Sequence, residues 1–90
     1  MRFTFVIEED YRYVSCGGDP FTFIKSAIKA MKFQLDPGQE GKIIVMSDKF
    51  PYSREIFESL SRQNSLDLKD LKIEGEELYL YFLRVNDQET

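Results

Sequence analysis

Apolar and polar residues alternate near the start of the chain, over residues 2–7 (Arg-Phe-Thr-Phe-Val-Ile). This period of two is typical of a β-strand with one buried face. Acidic residues at positions 8–10 interrupt the pattern as a turn would, and aromatic and β-branched residues resume it over residues 11–14. The two stretches predict either a hairpin or one long strand broken by a bulge, and the pattern stops at Gly17-Gly18.

The next segment has a helical period. Asp19 is a preferred N-cap residue, and Pro20 suits the first helical position because its missing N–H costs nothing there. Apolar residues then recur every three or four positions until the turn at residues 36–38, namely Phe23, Ile24, Ala27, Ile28, Ala30, Met31 and Leu35. Lysines fall on the opposite side, so the pattern predicts an amphipathic helix that lies on a sheet.

Three strands and a second helix are predicted in the rest of the chain. The apolar run at residues 43–46 and the apolar stretch at residues 78–83 are both typical of central strands. Ser53 is a suitable N-cap for the helix, and Glu74-Gly75-Glu76 predicts a hairpin turn. The predicted bounds are 42–47 for the first strand, 54–63 for the helix, and 66–73 and 78–85 for the last two strands.

The resulting order, β(β)αβαββ, predicts a two-layer α/β sandwich. We expect a mixed sheet of four to five strands with both helices on one face, because strand-helix-strand crossovers are right-handed. Ninety residues suffice for one such domain, which we assign to residues 1–85, with a polar C-terminal tail at residues 86–90. The other face of the sheet must then be partly polar or be covered by a partner.

Charge and composition narrow the function classes. The net charge of −4 argues against a general nucleic-acid binder, and no apolar run reaches the ~18–20 residues that span a bilayer. The chain has one cysteine and no histidine, which removes an internal disulfide, the commonest general base and the commonest metal ligand. We therefore expect a cytoplasmic protein that is not an enzyme, with no cofactor or metal and with neither nucleic acid nor membrane as a partner.

A family resemblance adds to this interpretation. The proline-initiated helix at residues 20–31, the turn with Pro37-Gly38, the strand and Asp-bearing loop at residues 43–48 and the closing hairpin resemble the TusA/SirA-like family of small sulfur carriers. Residues 13–85 match its element order. The family's Cys-Pro-x-Pro motif falls on residues 17–20, which read Gly-Gly-Asp-Pro here, so Cys16 stands one residue before the family's cysteine position.

The resemblance implies a non-enzymatic carrier or adaptor that docks on larger proteins. It implies Cys16 as the persulfide carrier and a cysteine desulfurase, a sulfur acceptor or a larger enzyme complex as the partner. The residues themselves leave two interpretations open. A thiol just before a helix N-terminus has a lowered pKa, whereas a single buried cysteine is usually an inert packing residue.

Two further sets of residues are candidate partner contacts. Lys25, Lys29 and Lys32 form a basic stripe, either the solvated side of the first helix or a docking surface for an acidic partner. Phe50 and Tyr52 flank Pro51 in a loop, where they either anchor a partner or pack at the core edge. The alternative function is an accessory or regulatory subunit that binds a larger complex and has no chemistry of its own.

Overall fold

The order of helices and strands confirms the predicted β-α-β-α-β-β pattern. A computed structural model describes residues 5–13 and 19–85 of the chain. The strands are β1 (Phe5–Asp10), β2 (Glu40–Met46), β3 (Leu66–Glu74) and β4 (Glu77–Arg84), the helices are α1 (Pro20–Gln34) and α2 (Arg54–Gln63), and a 3-10 turn covers Ser47–Lys49.

The four strands form one mixed sheet in the order β1-β2-β4-β3. β1 pairs parallel to β2, and β4 pairs antiparallel to both β2 and β3. Side chains alternate along β4: Leu78, Leu80 and Phe82 are buried, whereas Tyr79 and Tyr81 are half-buried on the other face, which we call the open face. Since residues of both helices share one core with the buried side of β4, both helices cover the same face. The predicted two-layer α/β sandwich is confirmed.

The core lies between the helix layer and the covered face of the sheet. In α1 the buried positions follow the predicted helical period, and in β2 residues on alternate positions point at the helix layer. The fully buried apolar side chains of this core include Ile24, Ile28, Met31, Ile43, Val45, Phe57, Leu66, Leu80 and Phe82. A single cluster of this kind is what a short chain needs in order to offset the entropy of folding.

Both helices begin at the predicted N-cap residues. The carboxylate of Asp19 accepts hydrogen bonds from the Phe21 N–H at 3.1 Å and from the Thr22 hydroxyl at 3.0 Å. The Ser53 hydroxyl accepts from the Ile56 N–H at 3.4 Å. These bonds satisfy backbone donors that have no partner inside the helix.

The N-terminal strand corrects the prediction for residues 8–10. These acidic residues belong to β1 and pair with residues 42–44 of β2, whereas the sequence pattern indicated a turn. Successive side chains of a strand point to opposite faces of the sheet, so alternate carboxylates of β1 lie on the open face. Acidic side chains in these positions do not interrupt the strand. Residues 11–13 form a loop and turn in place of the strand predicted over 11–14, and Val14 lies outside the described residues.

Over residues 5–13 and 19–85, neither helix is long and apolar enough to cross a membrane.

The hairpin turn predicted before the last strand is confirmed, because Gly75 has a φ of 63° between β3 and β4. Glycine adopts this left-handed conformation without the steric cost that a side chain adds.

Gly41 tests how closely α1 packs on the sheet. A Cβ atom at this position of β2 would lie 2.5 Å from Met31 Sδ and 3.1 Å from Leu35 Cδ1, and both side chains are buried. We expect Gly41→Ala to lower the free energy of unfolding by about 1–3 kcal/mol, because the core must move to admit one methyl group. Urea denaturation measures the change.

Met31→Ala provides the matched test of this packing. The methyl group that Gly41→Ala adds would occupy part of the space that the Met31 side chain leaves. The Gly41→Ala/Met31→Ala double variant is therefore expected to be less destabilised than the sum of the two single variants. Additive losses would show that Gly41 and Met31 do not limit each other's packing.

Candidate functional site

A groove of about 560 Å³ lies between α1 and the C-terminal part of α2. The structure brings the three lysines singled out in the sequence to one wall of this groove. We call it the lysine groove, and its lining residues are Thr22, Lys25, Ser26, Lys29 and Lys32 from α1 together with Leu60, Gln63 and Asn64 from α2 and its C-cap.

Within the described residues, the lysine groove carries a local excess of positive charge. In the part of the chain that the structure describes, no acidic side chain forms an ion pair with Lys25, Lys29 or Lys32. Lys25 Nζ lies 5.7 Å from the ring centroid of Phe21, and Lys32 Nζ lies 5.6 Å from that of Phe33. These contacts orient two of the ammonium groups without neutralising them.

The rest of the lining is polar except at one position. Thr22 and Ser26 carry hydroxyl groups, and Gln63 and Asn64 carry amides, so hydrogen-bond donors and acceptors stand on both walls. Leu60 is buried and supplies the apolar contribution. The arrangement suits a ligand that is negatively charged and also rich in hydrogen-bonding groups.

The Phe50–Tyr52 loop is placed differently from what a partner anchor requires. Phe50 is 3% exposed, and its ring centroid lies 5.9 Å from that of Phe23. Tyr52 is half-buried and packs edge-on against Phe57 and Phe21, with centroid distances of 6.1 and 5.5 Å. Of the two arrangements that the sequence left open, the structure shows packing at the core edge, and this burial leaves the Phe50 ring unavailable to a partner.

The open face carries a set of side chains that sequence reasoning missed. Lys42 Nζ lies 5.3 Å from the ring centroid of Tyr79 and 5.7 Å from that of Tyr81, and Lys72 Nζ lies 5.9 Å from the Tyr81 ring. The apolar run of β4 hid this alternation, because tyrosine was counted among the apolar residues. The open face is thus partly polar, one of the two arrangements expected from the sequence.

Arg12 organises one corner of the open face. Its Nε and Nη2 donate to the Asp10 carboxylate at 2.9 and 2.6 Å, and its Nη1 donates to Glu77 at 2.8 Å. The Tyr79 hydroxyl also donates to Glu77. This cluster joins the end of β1 to the start of β4. No signal in the sequence marks a contact between residues 65 positions apart.

The hydrogen bonds of this cluster shift the pKa values of its carboxyl and phenol groups away from neutral pH. Hydrogen bonds from Arg12 lower the pKa of Asp10 to about 2. The hydrogen bond from Tyr79, followed by the one from Arg12, lowers the pKa of Glu77, and the bond to Glu77 raises the pKa of Tyr79 to about 12. A general acid or base works best with a pKa near the operating pH, and these shifts move the pKa values of all three groups away from neutral pH.

Cys16, Gly17 and Gly18 lie outside the described residues, so the position of the thiol stays a prediction. The N-terminus of α1 itself is described. The Asp19 carboxylate already accepts hydrogen bonds there from the Phe21 N–H and the Thr22 hydroxyl. This bound negative charge weakens the electrostatic field that was expected to stabilise a nearby thiolate.

No protein-family model matches this chain, and no curated protein matches it. The TusA/SirA-like resemblance therefore stays a prediction from the sequence. In the lysine groove, three lysines from one helix face an amide-bearing wall from the other.

The Arg12 cluster predicts a defined dependence of stability on pH. The pKa of Asp10 is lower in the folded protein than its ordinary value of 3.8, so its stabilising contribution is present above about pH 4 and is lost as the pH falls towards 2. In Arg12→Gln we expect the Asp10 titration midpoint to rise towards its ordinary value. We expect this variant to be less stable than wild type at neutral pH, with the difference shrinking below about pH 4.

Carboxyl-detected NMR titration measures the midpoint, and urea denaturation across the same pH range measures the stability. Arg12→Lys is the matched control, since it keeps the charge but loses the two-pronged hydrogen bond and should give an intermediate midpoint. An unchanged Asp10 midpoint in Arg12→Gln would show that the cluster does not form as described.

Proposed function

We propose that this protein is a non-enzymatic adaptor or carrier that docks on a larger protein through the lysine groove. The observation that carries the proposal is the convergence of Lys25, Lys29 and Lys32 on one concave surface without carboxylate partners in the described residues. The chain as a whole has a net charge of −4, so this basic patch is a local feature against an acidic background. Charge complementarity of this kind steers association and sets orientation.

The shape of the site favours docking over a merely solvated helix face. A solvated face needs no second wall, whereas Gln63 and Asn64 of the neighbouring helix stand opposite the lysines. The pKa values of Asp10 and Glu77 are lowered and those of Tyr11 and Tyr79 are raised, so these four groups offer no general acid or base near neutral pH.

The TusA/SirA-like resemblance suggests a specific form of this function. Cys16 would accept a sulfur atom from the persulfide of a cysteine desulfurase, whose cysteine leaves as a thiol, and would pass that sulfur on to an acceptor. The groove on α1, the helix that follows Cys16 in the chain, would then bind the donor or the acceptor. The alternative is an accessory or regulatory subunit that uses the same groove and transfers nothing.

Docking through the groove is tested by charge reversal. We expect Lys29→Glu to reduce the amount of partner captured from cell extract by about tenfold or more, because it replaces attraction with repulsion at the centre of the lysine stripe. Lys49→Glu is the matched control, since Lys49 is exposed in the 3-10 turn and does not line the groove. Quantitative mass spectrometry of the captured proteins measures the effect.

Equal thermal midpoints of the two variants would establish that both are folded. Capture that depends on Lys29, survives Lys49→Glu and weakens as salt is added supports the adaptor function. A partner that binds wild type and Lys29→Glu equally well would contradict docking through this groove.

The sulfur-carrier form is tested separately. After incubation with a cysteine desulfurase and cysteine, we expect the intact protein to gain the mass of one sulfur atom, and we expect Cys16→Ser to abolish that gain. Mass spectrometry under non-reducing conditions measures it. If wild type gains no sulfur while Lys29-dependent capture persists, the accessory-subunit alternative is the correct one.

A further inference from the structure

We propose that the lysine groove binds an extended acidic segment of the partner protein, with carboxylates on alternate residues. This inference rests on the proposed docking function and specifies the chemistry of the occupant. Three features of the groove support an occupant of this kind: the spacing of the lysines, the polar character of the opposite wall and the spread of the positive charge.

The lysine spacing matches an extended chain. A rise of ~1.5 Å per helical residue separates Lys25 from Lys29 by ~6 Å along α1, and Lys29 from Lys32 by ~4.5 Å. In an extended segment, side chains on one face repeat every two residues, or ~6.6 Å. The four-carbon stem of lysine absorbs a difference of this size. Successive carboxylates on one side of the segment therefore meet successive ammonium groups.

The polar wall favours an extended segment over a helix. An extended segment that leaves water needs hydrogen-bond partners for its own backbone N–H and C=O groups. The Thr22 hydroxyl already donates to Asp19, and the side-chain amides of Gln63 and Asn64 each donate one hydrogen bond within α2. The Ser26 hydroxyl and the second N–H and the oxygen of each amide can provide the partners that an extended segment needs. A bound helix satisfies its own backbone and needs several apolar anchors instead. Among the groove-lining residues, Leu60 alone is apolar.

The spread of charge favours separate carboxylates over one compact anion. The three lysines extend over ~10 Å of helix axis, whereas a phosphate group is bound by donors that converge on one point. Lys32 lies in the last turn of α1, where the negative end of the helix dipole disfavours a multiply charged anion.

Two synthetic peptides of equal composition test the proposal on the whole 90-residue chain. One carries three glutamates alternating with serines, and the other carries the three glutamates in a row beside the same serines. Amide NMR titration should show shifts over residues 22–32 and 60–64 with the alternating peptide. We expect that peptide to bind about tenfold more tightly than the contiguous one, because only its three carboxylates lie on the same side of an extended segment.

Variants extend the same measurement. Lys29→Gln and Lys29→Glu should weaken the alternating peptide by about tenfold or more, and Lys49→Glu should leave its affinity unchanged. Equal affinity for the two peptides, or shifts outside the groove, would overturn the proposal. So would inorganic phosphate or pyrophosphate that displaces the peptide at equimolar concentration, because the groove would then be a general anion site.

An acidic segment of the same chain could also occupy the groove, so one further variant tests that occupant. Asp87 and Glu89 are also two residues apart, and both lie outside the described residues. If the Asp87→Asn/Glu89→Gln variant shifts the groove amides in the absence of peptide, the occupant is this segment and the partner proposal is overturned. If partner capture depends on Lys29 but neither peptide binds, the proposed docking function stands and only the extended acidic occupant is wrong.

Discussion

The close approach of α1 to β2 at Gly41 is the constraint on which the helix layer depends. A side chain at this position would collide with Met31 and Leu35, so the absence of a Cβ atom determines how deeply α1 settles on the sheet. The apolar stripe of α1 packs in the core, and the lysine side of the same helix forms one wall of the lysine groove. Any change that moves α1 on the sheet therefore also moves this wall.

The cations on the two surfaces of the sandwich differ in their partners. On the open face, Arg12 is bound by two carboxylates, and the lysines lie over tyrosine rings. That face satisfies much of its own polarity and ties β1 to β4. In the lysine groove, no described carboxylate forms an ion pair with the ammonium groups, which stand beside side-chain amides. A protein that docks by charge needs this separation, because an internally paired cation attracts a partner weakly.

The sequence correctly predicted the features that depend on interactions between residues close together in the chain. The apolar period of α1, the caps at Asp19 and Ser53 and the turn at Gly75 depend on residues a few positions apart, and all of them are confirmed. The acidic residues 8–10 were misassigned to a turn because their place in β1 depends on pairing with β2. For Phe50 the sequence left open a partner anchor or a place at the core edge, because its burial against Phe23 depends on the path of a loop that the sequence pattern does not specify.

The features of the candidate site also fall into those that follow from local sequence and those that follow from tertiary packing. By itself, the sequence determined that Lys25, Lys29 and Lys32 share one side of a helix, because the helical period follows from backbone geometry alone. Only the tertiary structure decided that this side faces Gln63 and Asn64 across a groove, and that Arg12 joins Glu77 on the other face. The physical reason is that such contacts arise from the packing of elements distant in the chain, and a period read along one segment carries no information about what packs against it.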